Sequence, residues 1–230
     1  YLVLGETMLG AGNLPKFADA LYHDTEEDLW LIPTAEVPIT GLHRDEILDS
    51  DLFPIRYMAH TPCFRREKAS AGSNVRGLMR VHQFEKVEMY QLVHPDRSDA
   101  ALNELIEHAS DVLRGLGLVF HVLQLCSGDL SFPSTKSYDL EAWAPASHSW
   151  LEVSSCSNCT DFQSRRSNIR FRSSHNEKSE FVHTLNGSGL ALPRILIAIL
   201  ENFQKADGSV VLPQAIVPYM DGQEVLEPVR

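Results

Sequence analysis

Residues 61–90, TPCFRREKASAGSNVRGLMRVHQFEKVEMY, decide the fold of this chain. They read as two strands joined by a loop rich in Gly, Ser and Asn, with charge where a hairpin ordinarily alternates blandly. A second strand starting near Met79 puts Arg80, His82, Phe84, Lys86 and Glu88 on one face by period-two alternation. Val81, Gln83, Glu85, Val87 and Met89 then fall on the other. The first strand places Arg65 and Glu67 on a shared face by the same rule. Arginines, carboxylates and an aromatic ring on one sheet surface exceed what packing requires. Such a surface suits small charged molecules, a phosphorylated nucleotide and an amino acid in particular.

The rest of the chain supports a sheet built of hairpins. Tyr1 to Leu4 reads as the end of a strand, Gly10 to Asn13 as a turn, and Lys16 to Tyr22 as a short helix. Leu29 to Ile32 is a strand ending at Pro33, Glu36 to Ser50 is mostly helical, and Arg56 to His60 begins the hairpin. Asp99 to Leu116 is the clearest helix: Leu102, Leu105, Ala109, Val112, Leu113 and Leu116 recur at helical spacing. Ser98 is a plausible N-cap, and Gly115 and Gly117 stop it. Val119 to Leu125, Ser137 to Trp143, Trp150 to Ser154 and Phe181 to Leu185 read as strands, with a hairpin turn at Pro145 to Ser149. Leu190 to Phe203 is a helix apolar on nearly all sides, hence buried, with Pro193 tolerable in its first turn. The fold class is α+β, a largely antiparallel β-sheet flanked by helices, in one domain over residues 1–230. No GxxxxGK[ST] and no GxGxxG after a strand occurs, so any nucleotide is held another way.

Bulk properties narrow the function. A net charge of −11 argues against a general polyanion-binding face. Two basic islands stand out: seven Lys/Arg against two Glu from Arg56 to Lys86, and five against one from Arg165 to Lys178. Islands in an acidic body suggest local anion recognition. No run of 18 apolar residues occurs, so no membrane span is expected. Four cysteines do not make a disulfide framework and suggest a reducing, cytoplasmic setting. Cys156 and Cys159 form a CxxC, but no second CxxC or HxxxH pair follows. Small buried thiols are the preferred reading, and no structural zinc is expected.

Four segments, in order, resemble one family. Phe64-Arg65-Arg66-Glu67 with Arg76 to Glu88 resembles motif 2 of class II aminoacyl-tRNA synthetases in the form used by seryl-tRNA synthetases. Pro33-Thr34-Ala35-Glu36-Val37 resembles that family's serine-site turn. Trp150 to Cys159, followed by Asp161, Gln163, Arg165 and Arg166, resembles its metal-ligand strand, and Asn186 to Arg194 resembles motif 3. The resemblance runs from about Gly10 to Met220. It implies a class II catalytic fold, N-terminally incomplete, lacking the coiled-coil arm and most of motif 1. It also implies ATP-dependent activation of L-serine and its transfer to the 3′ end of tRNA(Ser), with tRNA(Sec) a further candidate, by an enzyme dimeric when intact.

Residue roles follow from the resemblance. Arg65 bridges the serine carboxylate and the α-phosphate, and Arg65 and Arg194 are the catalytic pair. Thr34, Ala35, Glu36, Arg65, Glu88 and Ser188 form the serine site. Arg65, Arg66, Glu67, Arg80, Phe84, Glu152, Val153, Ser154, Ser155 and Arg194 hold ATP. Glu67 accepts from the adenine amino group, and Phe84 stacks on adenine. Glu152 and Ser155 are the expected Mg²⁺ ligands, hard oxygens for a hard cation. Their i, i+3 spacing is not one face of a regular strand, so a bulge or strand end is expected between them. Asp139 and Glu141 share a face and read either as carboxylates near the metal or as an acid–base pair. Arg165 and Arg166 read as anchors for acidic groups, with Arg170 and Arg172 open. Two alternatives stand beside serine activation: a paralogue that loads an amino acid onto a carrier protein, and a non-catalytic binding module on the same fold.

Overall fold

The computed structural model describes residues 1–67, 77–173 and 178–228. The hairpin loop at 68–76, with Arg76 of the quoted motif, lies outside the described residues. Six strands form the central sheet: β1 (Ile55–Phe64), β2 (Gln83–Val93), β3 (Phe120–Gln124), β4 (Lys136–Ala144), β5 (Ser149–Thr160) and β6 (His183–Ala191). Their order is β1-β2-β6-β5-β4-β3, and every neighbouring pair is antiparallel. This is the α+β class expected from the hairpin-rich sequence.

Alternation along the strands divides the two faces of the sheet. Leu140 and Ala142 of β4, Val153 and Cys156 of β5 and Leu185 of β6 point into one core. Helix α3 (Ser98–Gly115) covers it with Leu102, Leu105 and Leu113, and α5 (Leu192–Phe203) adds Ile195, Ala198 and Ile199. Leu102, Leu105 and Leu113 are at most 1% exposed, so each contributes about 1.5–3 kcal/mol from burial. The opposite face is half covered. There α2 (Glu36–Gly41) brings Ile39 against Tyr90 and Leu92 of β2, with Ile169, Phe171 and Val182 closing the cluster. Helix α1 (Gly5–Ala11) and α4 (Phe162–Ser167) brace α2 from behind. The other half of this face is open, and it holds the site.

Several local expectations are corrected. The ladder of β2 starts at Gln83 instead of near Met79, because Gly77, at φ +70°, leads a 3₁₀ turn over Gly77–Met79. Arg65 and Glu67 lie just past β1; the Arg65 amide still donates to the His82 carbonyl at 2.9 Å, but Glu67 has φ +50° and leaves the strand. Lys16 to Tyr22 contains only a 3₁₀ turn at Ala18–Ala20, a stretch too short to stabilise two α-turns, while α1 precedes the Gly12 turn and was missed. The helix expected over Glu36 to Ser50 ends at Gly41. Asp45 then turns with φ +62°, and Ile47–Asp49 pairs in parallel with Arg170–Arg172. Ser98 is helical rather than the cap, and its hydroxyl donates to the Pro95 carbonyl at 3.0 Å. Strand β5 runs to Thr160, beyond the expected Ser154, because its Ser and Cys side chains find partners on both neighbours: Ser157 and Ser137 share a hydrogen bond of 2.7 Å. The strand expected over Phe181 to Leu185 divides at Val182 and continues as β6 to Ala191. Helix α5 is not buried all round, since Leu192 and Leu196 are 40% and 45% exposed. No helix among the described residues is long and apolar enough to cross a membrane.

Candidate active site

A cavity of about 320 Å³ opens on the uncovered half of the sheet. Strand β2 sends in Phe84, Lys86 and Glu88; β5 sends Glu152, Ser155 and Ser157; β6 sends Asn186 and Ser188. The turn before α2 adds Thr34 and Glu36, the end of β1 adds Arg65 and Glu67, and Pro193 and Arg194 reach in from the first turn of α5. Guanidinium and carboxylate groups from segments far apart in the chain thus share one recess. A separate depression of about 380 Å³ beside Arg56, Gln91 and Arg97 holds none of the expected site residues.

One end of the cavity is acidic and tightly bonded. Lys86 forms an ion pair with Glu88, and both are buried. Thr34 Oγ1 donates to Glu88 Oε2 at 2.7 Å, and Lys86 Nζ donates to Thr34 Oγ1 at 2.7 Å. Glu36 Oε1 accepts from Gln163 Nε2 at 2.5 Å and Asn186 Nδ2 at 3.0 Å. Burial, with the Glu88 charge beside it, pushes the Glu36 carboxyl up to about 7, while Lys86, the Gln163 hydrogen bond and Arg65 oppose the shift. Gln163 is fixed in turn by Thr184 Oγ1, which donates to its Oε1 at 2.6 Å.

The other end is cationic and more open. Arg65 Nε donates to the Pro33 carbonyl at 3.3 Å, and its guanidinium lies 5.1 Å from the Phe84 ring. Arg80 pairs with Glu67 at 2.5 Å. Arg194 Nη1 donates to the Glu152 backbone carbonyl at 2.7 Å and approaches its carboxylate at 3.3 Å. The β4–β5 register carries the expected irregularity: Leu140 faces Ser154 and Glu141 faces Glu152, so Val153 has no partner. This two-against-one step is a β-bulge, and it brings Glu152 and Ser155 to the same side. A carboxylate beside a hydroxyl, open to the cavity, fits a Mg²⁺ ion that takes its remaining ligands from phosphate and water.

Neighbouring groups resolve the open readings. Asp139 sits opposite Ser155 in register, its Oδ1 is buried without a hydrogen-bond partner, and burial pushes its carboxyl up to about 6, with the Ser155 hydroxyl opposing. Glu141 is instead engaged by His121 at 2.6 Å, so the two carboxylates do not act as one pair. His82 is outside the cavity lining and bonds to the Tyr22 hydroxyl at 2.6 Å. Arg165 anchors to Asp161 at 3.0 Å, whereas Arg166 lies 4.0 Å from the Phe162 ring and Arg170 lies 4.3 Å from that of Phe181. Cys156 and Cys159 are buried on β5, and burial pushes Cys156 up to about 12 and Cys159 well above the usual thiol range.

Four expected residues lie outside the cavity lining. Ala35 is buried against β2, Val153 points into the helix-covered core, and Ser154 donates to the Ser188 carbonyl at 2.6 Å. Arg66 lines another depression with Tyr22 and Trp30. Conversely, Lys86 and Asn186 belong to the cavity but were not assigned to it. Both signals were present: Lys86 shares the alternation face of Glu88, and Asn186 is two residues before Ser188 on the same strand.

Residues 17–203 match the family model of the tRNA synthetase class II core domain (G, H, P, S and T). The chain belongs to this family. Among its relatives is the serine–tRNA ligase of Thermomicrobium roseum, 62% identical over 224 residues, covering 97% of this chain and 50% of that protein. The serine–tRNA ligase of Roseiflexus castenholzii is 59% identical, covering 98% of the chain and 53% of that protein. The crystal structure of seryl-tRNA synthetase from Pyrococcus horikoshii complexed with ATP superimposes with a TM-score of 0.97 at 42% identity, over 100% of this chain and 51% of that one. The chain therefore spans about half the length of the curated relatives it matches.

Proposed function

We propose that this chain carries the amino-acid activation site of a seryl-tRNA synthetase. It would convert L-serine and ATP to seryl-adenylate and pyrophosphate, with serine then passed to the 3′ end of tRNA(Ser). The observation that supports this best is the convergence of Thr34, Glu36, Arg65, Glu88 and Ser188 with Phe84, Arg80, Glu152 and Arg194 around one cavity.

A serine carboxylate oxygen attacks the α-phosphorus, a P–O bond forms, and the bond to the bridging oxygen of pyrophosphate breaks. No protein nucleophile is needed; placement and cationic stabilisation carry the catalysis. Arg65 stands between the acidic end and the Phe84 ring, so its planar fork can meet the serine carboxylate and the α-phosphate together. Phe84 offers a stacking surface to adenine, and Glu67, held by Arg80, offers an acceptor to its amino group. Arg80 and Arg194 answer the phosphate charge. Glu152 and Ser155 would hold Mg²⁺, which when bound supplies charge neutralisation of the phosphates. At the acidic end Glu36 and Glu88 receive the ammonium and hydroxyl of serine. A site that hydrogen-bonds the hydroxyl rejects alanine by roughly 10⁴-fold, because its own polar groups would be left unpaired. Threonine is excluded by shape.

The same reading assigns residues 1–230 to a single catalytic-core domain, with a homodimer as the intact enzyme, tRNA(Sec) as a further substrate and the cytoplasm as its setting. The four free cysteines accord with a reducing compartment. Serine-dependent ATP–pyrophosphate exchange tests the proposal. Exchange driven by serine and not by glycine or alanine is expected. Folded protein without exchange, or exchange driven by glycine or alanine in preference to serine, refutes it.

A further inference from the structure

Thr34 lies where a direct contact to the amino acid is expected, yet its hydroxyl is fully engaged. A hydroxyl offers one donor and two acceptor positions. The donor goes to Glu88 Oε2 at 2.7 Å, Lys86 Nζ takes one acceptor position at 2.7 Å, and the Glu36 amide approaches the other at 3.4 Å. Glu88 is loaded asymmetrically. Its Oε2 receives both Thr34 and Lys86, while Oε1 has no hydrogen-bond partner among the described residues. Lys86 is 6% exposed and Glu88 1%, and both line the cavity. A carboxylate that deep, stripped of its cation, would be left as an uncompensated buried charge and lose its fixed position. Glu36 and Glu88 thus share the acidic end with Lys86, and with Glu36 ionised a second carboxylate there is left to meet an ammonium from outside.

We infer that Lys86 and the Thr34 hydroxyl are positioning groups that saturate Oε2 of Glu88 and present its Oε1 as the acceptor reading the substrate's polar hydrogens. The inference rests on the serine activation proposed above, and it moves the recognition of the hydroxyl from several side chains to one carboxylate oxygen. Lys86 acts on serine only through Glu88, and it has no part in holding ATP, whose expected contacts begin at Arg65 and Phe84.

Exchange kinetics on Lys86→Met, Thr34→Val and Glu88→Gln, with serine, alanine and ATP varied in turn, test this. Lys86→Met and Thr34→Val are each expected to raise the serine KM at least tenfold, and to narrow the preference for serine over alanine at least tenfold. The ATP KM stays within twofold. In the Glu88→Gln background either substitution adds less than threefold, because the carboxylate it holds is gone. A serine KM within threefold of the unsubstituted protein, a parallel rise in the ATP KM, or undiminished effects in the Glu88→Gln background overturns the inference. Where Lys86→Met fails to fold by circular dichroism, Thr34→Val, which keeps the ion pair, decides by the same criteria. Absence of serine-dependent exchange in the unsubstituted protein overturns the activation proposal itself, and with it this inference, and is read before any variant is compared.

Discussion

Replacing Arg65 with alanine removes the guanidinium that stands between the two ends of the cavity. Its contacts to the protein are few. One hydrogen bond of 3.3 Å joins Nε to the Pro33 carbonyl, and the guanidinium carbon lies 5.1 Å from the Phe84 ring. The first contributes about 1 kcal/mol and the second about 0.5–1 kcal/mol, so the folded state loses at most about 2 kcal/mol. For a chain of this size that lowers Tm by about 4–8 °C. The reaction loses more. One of five N–H donors serves Pro33, which leaves four for the two anions that must meet. Losing a charge-stabilising donor in such a site costs about 3 kcal/mol, or roughly 10²-fold in rate. Serine-dependent exchange by Arg65→Ala should therefore fall by at least ~10²-fold at saturating substrates, in protein that still melts cooperatively. Arg65→Lys keeps the charge without the fork and should lie between. A loss below about threefold in Arg65→Ala, or one that merely tracks the fraction unfolded, would refute the reasoning.

Four further outcomes follow from the geometry. Glu36 holds its proton to about 7 in the fold against 4.5 for an ordinary glutamate, so its contribution to stability falls as pH rises through that window. Glu36→Gln should resist urea better than the unsubstituted protein at pH 8, and the difference should vanish at pH 4. The ammonium of serine favours the charged carboxylate, so the serine KM should climb as pH drops below about 7, and Glu36→Gln should flatten that limb. Phe84→Ala removes the stacking surface, worth about 1–3 kcal/mol per base, and should raise the ATP KM about tenfold while the serine KM stays within twofold. Leu105→Ala, at a position 1% exposed on the sheet-facing side of α3, should cost about 2–5 kcal/mol in urea unfolding and leave exchange per folded molecule unchanged.

What was legible in the sequence was whatever alternates or repeats. Phe84, Lys86 and Glu88 announced a polar sheet face because their charge recurs with period two, and the structure puts all three in the cavity. Helix α3 was legible from its apolar stripe to within one residue at either end. The Ser- and Cys-rich stretch of β5 carried no such contrast: its polar side chains meet partners inside the sheet, so burial left no hydrophobic trace. Helix α2 was drawn too long because the pairing of Ile47–Asp49 with Arg170–Arg172 is made more than a hundred residues away and has no local signature. Arg66 and Ser154 were placed with the nucleotide by the resemblance; the structure sets Arg66 beside Tyr22 and Trp30 and has Ser154 donating to the Ser188 carbonyl, so neither is in the cavity lining.

The unpaired Val153 has a further consequence. Residues 152 and 155 are separated by an odd number of steps, and on a regular strand they would look in opposite directions. The extra residue changes that parity. No exchange of one side chain for another sets it, whereas removing the residue at 153 would leave Glu152 two steps from Ser155 on a regular strand, on the same face without the bulge. The shared side of the pair is thus set by the count of residues between them as much as by their identity.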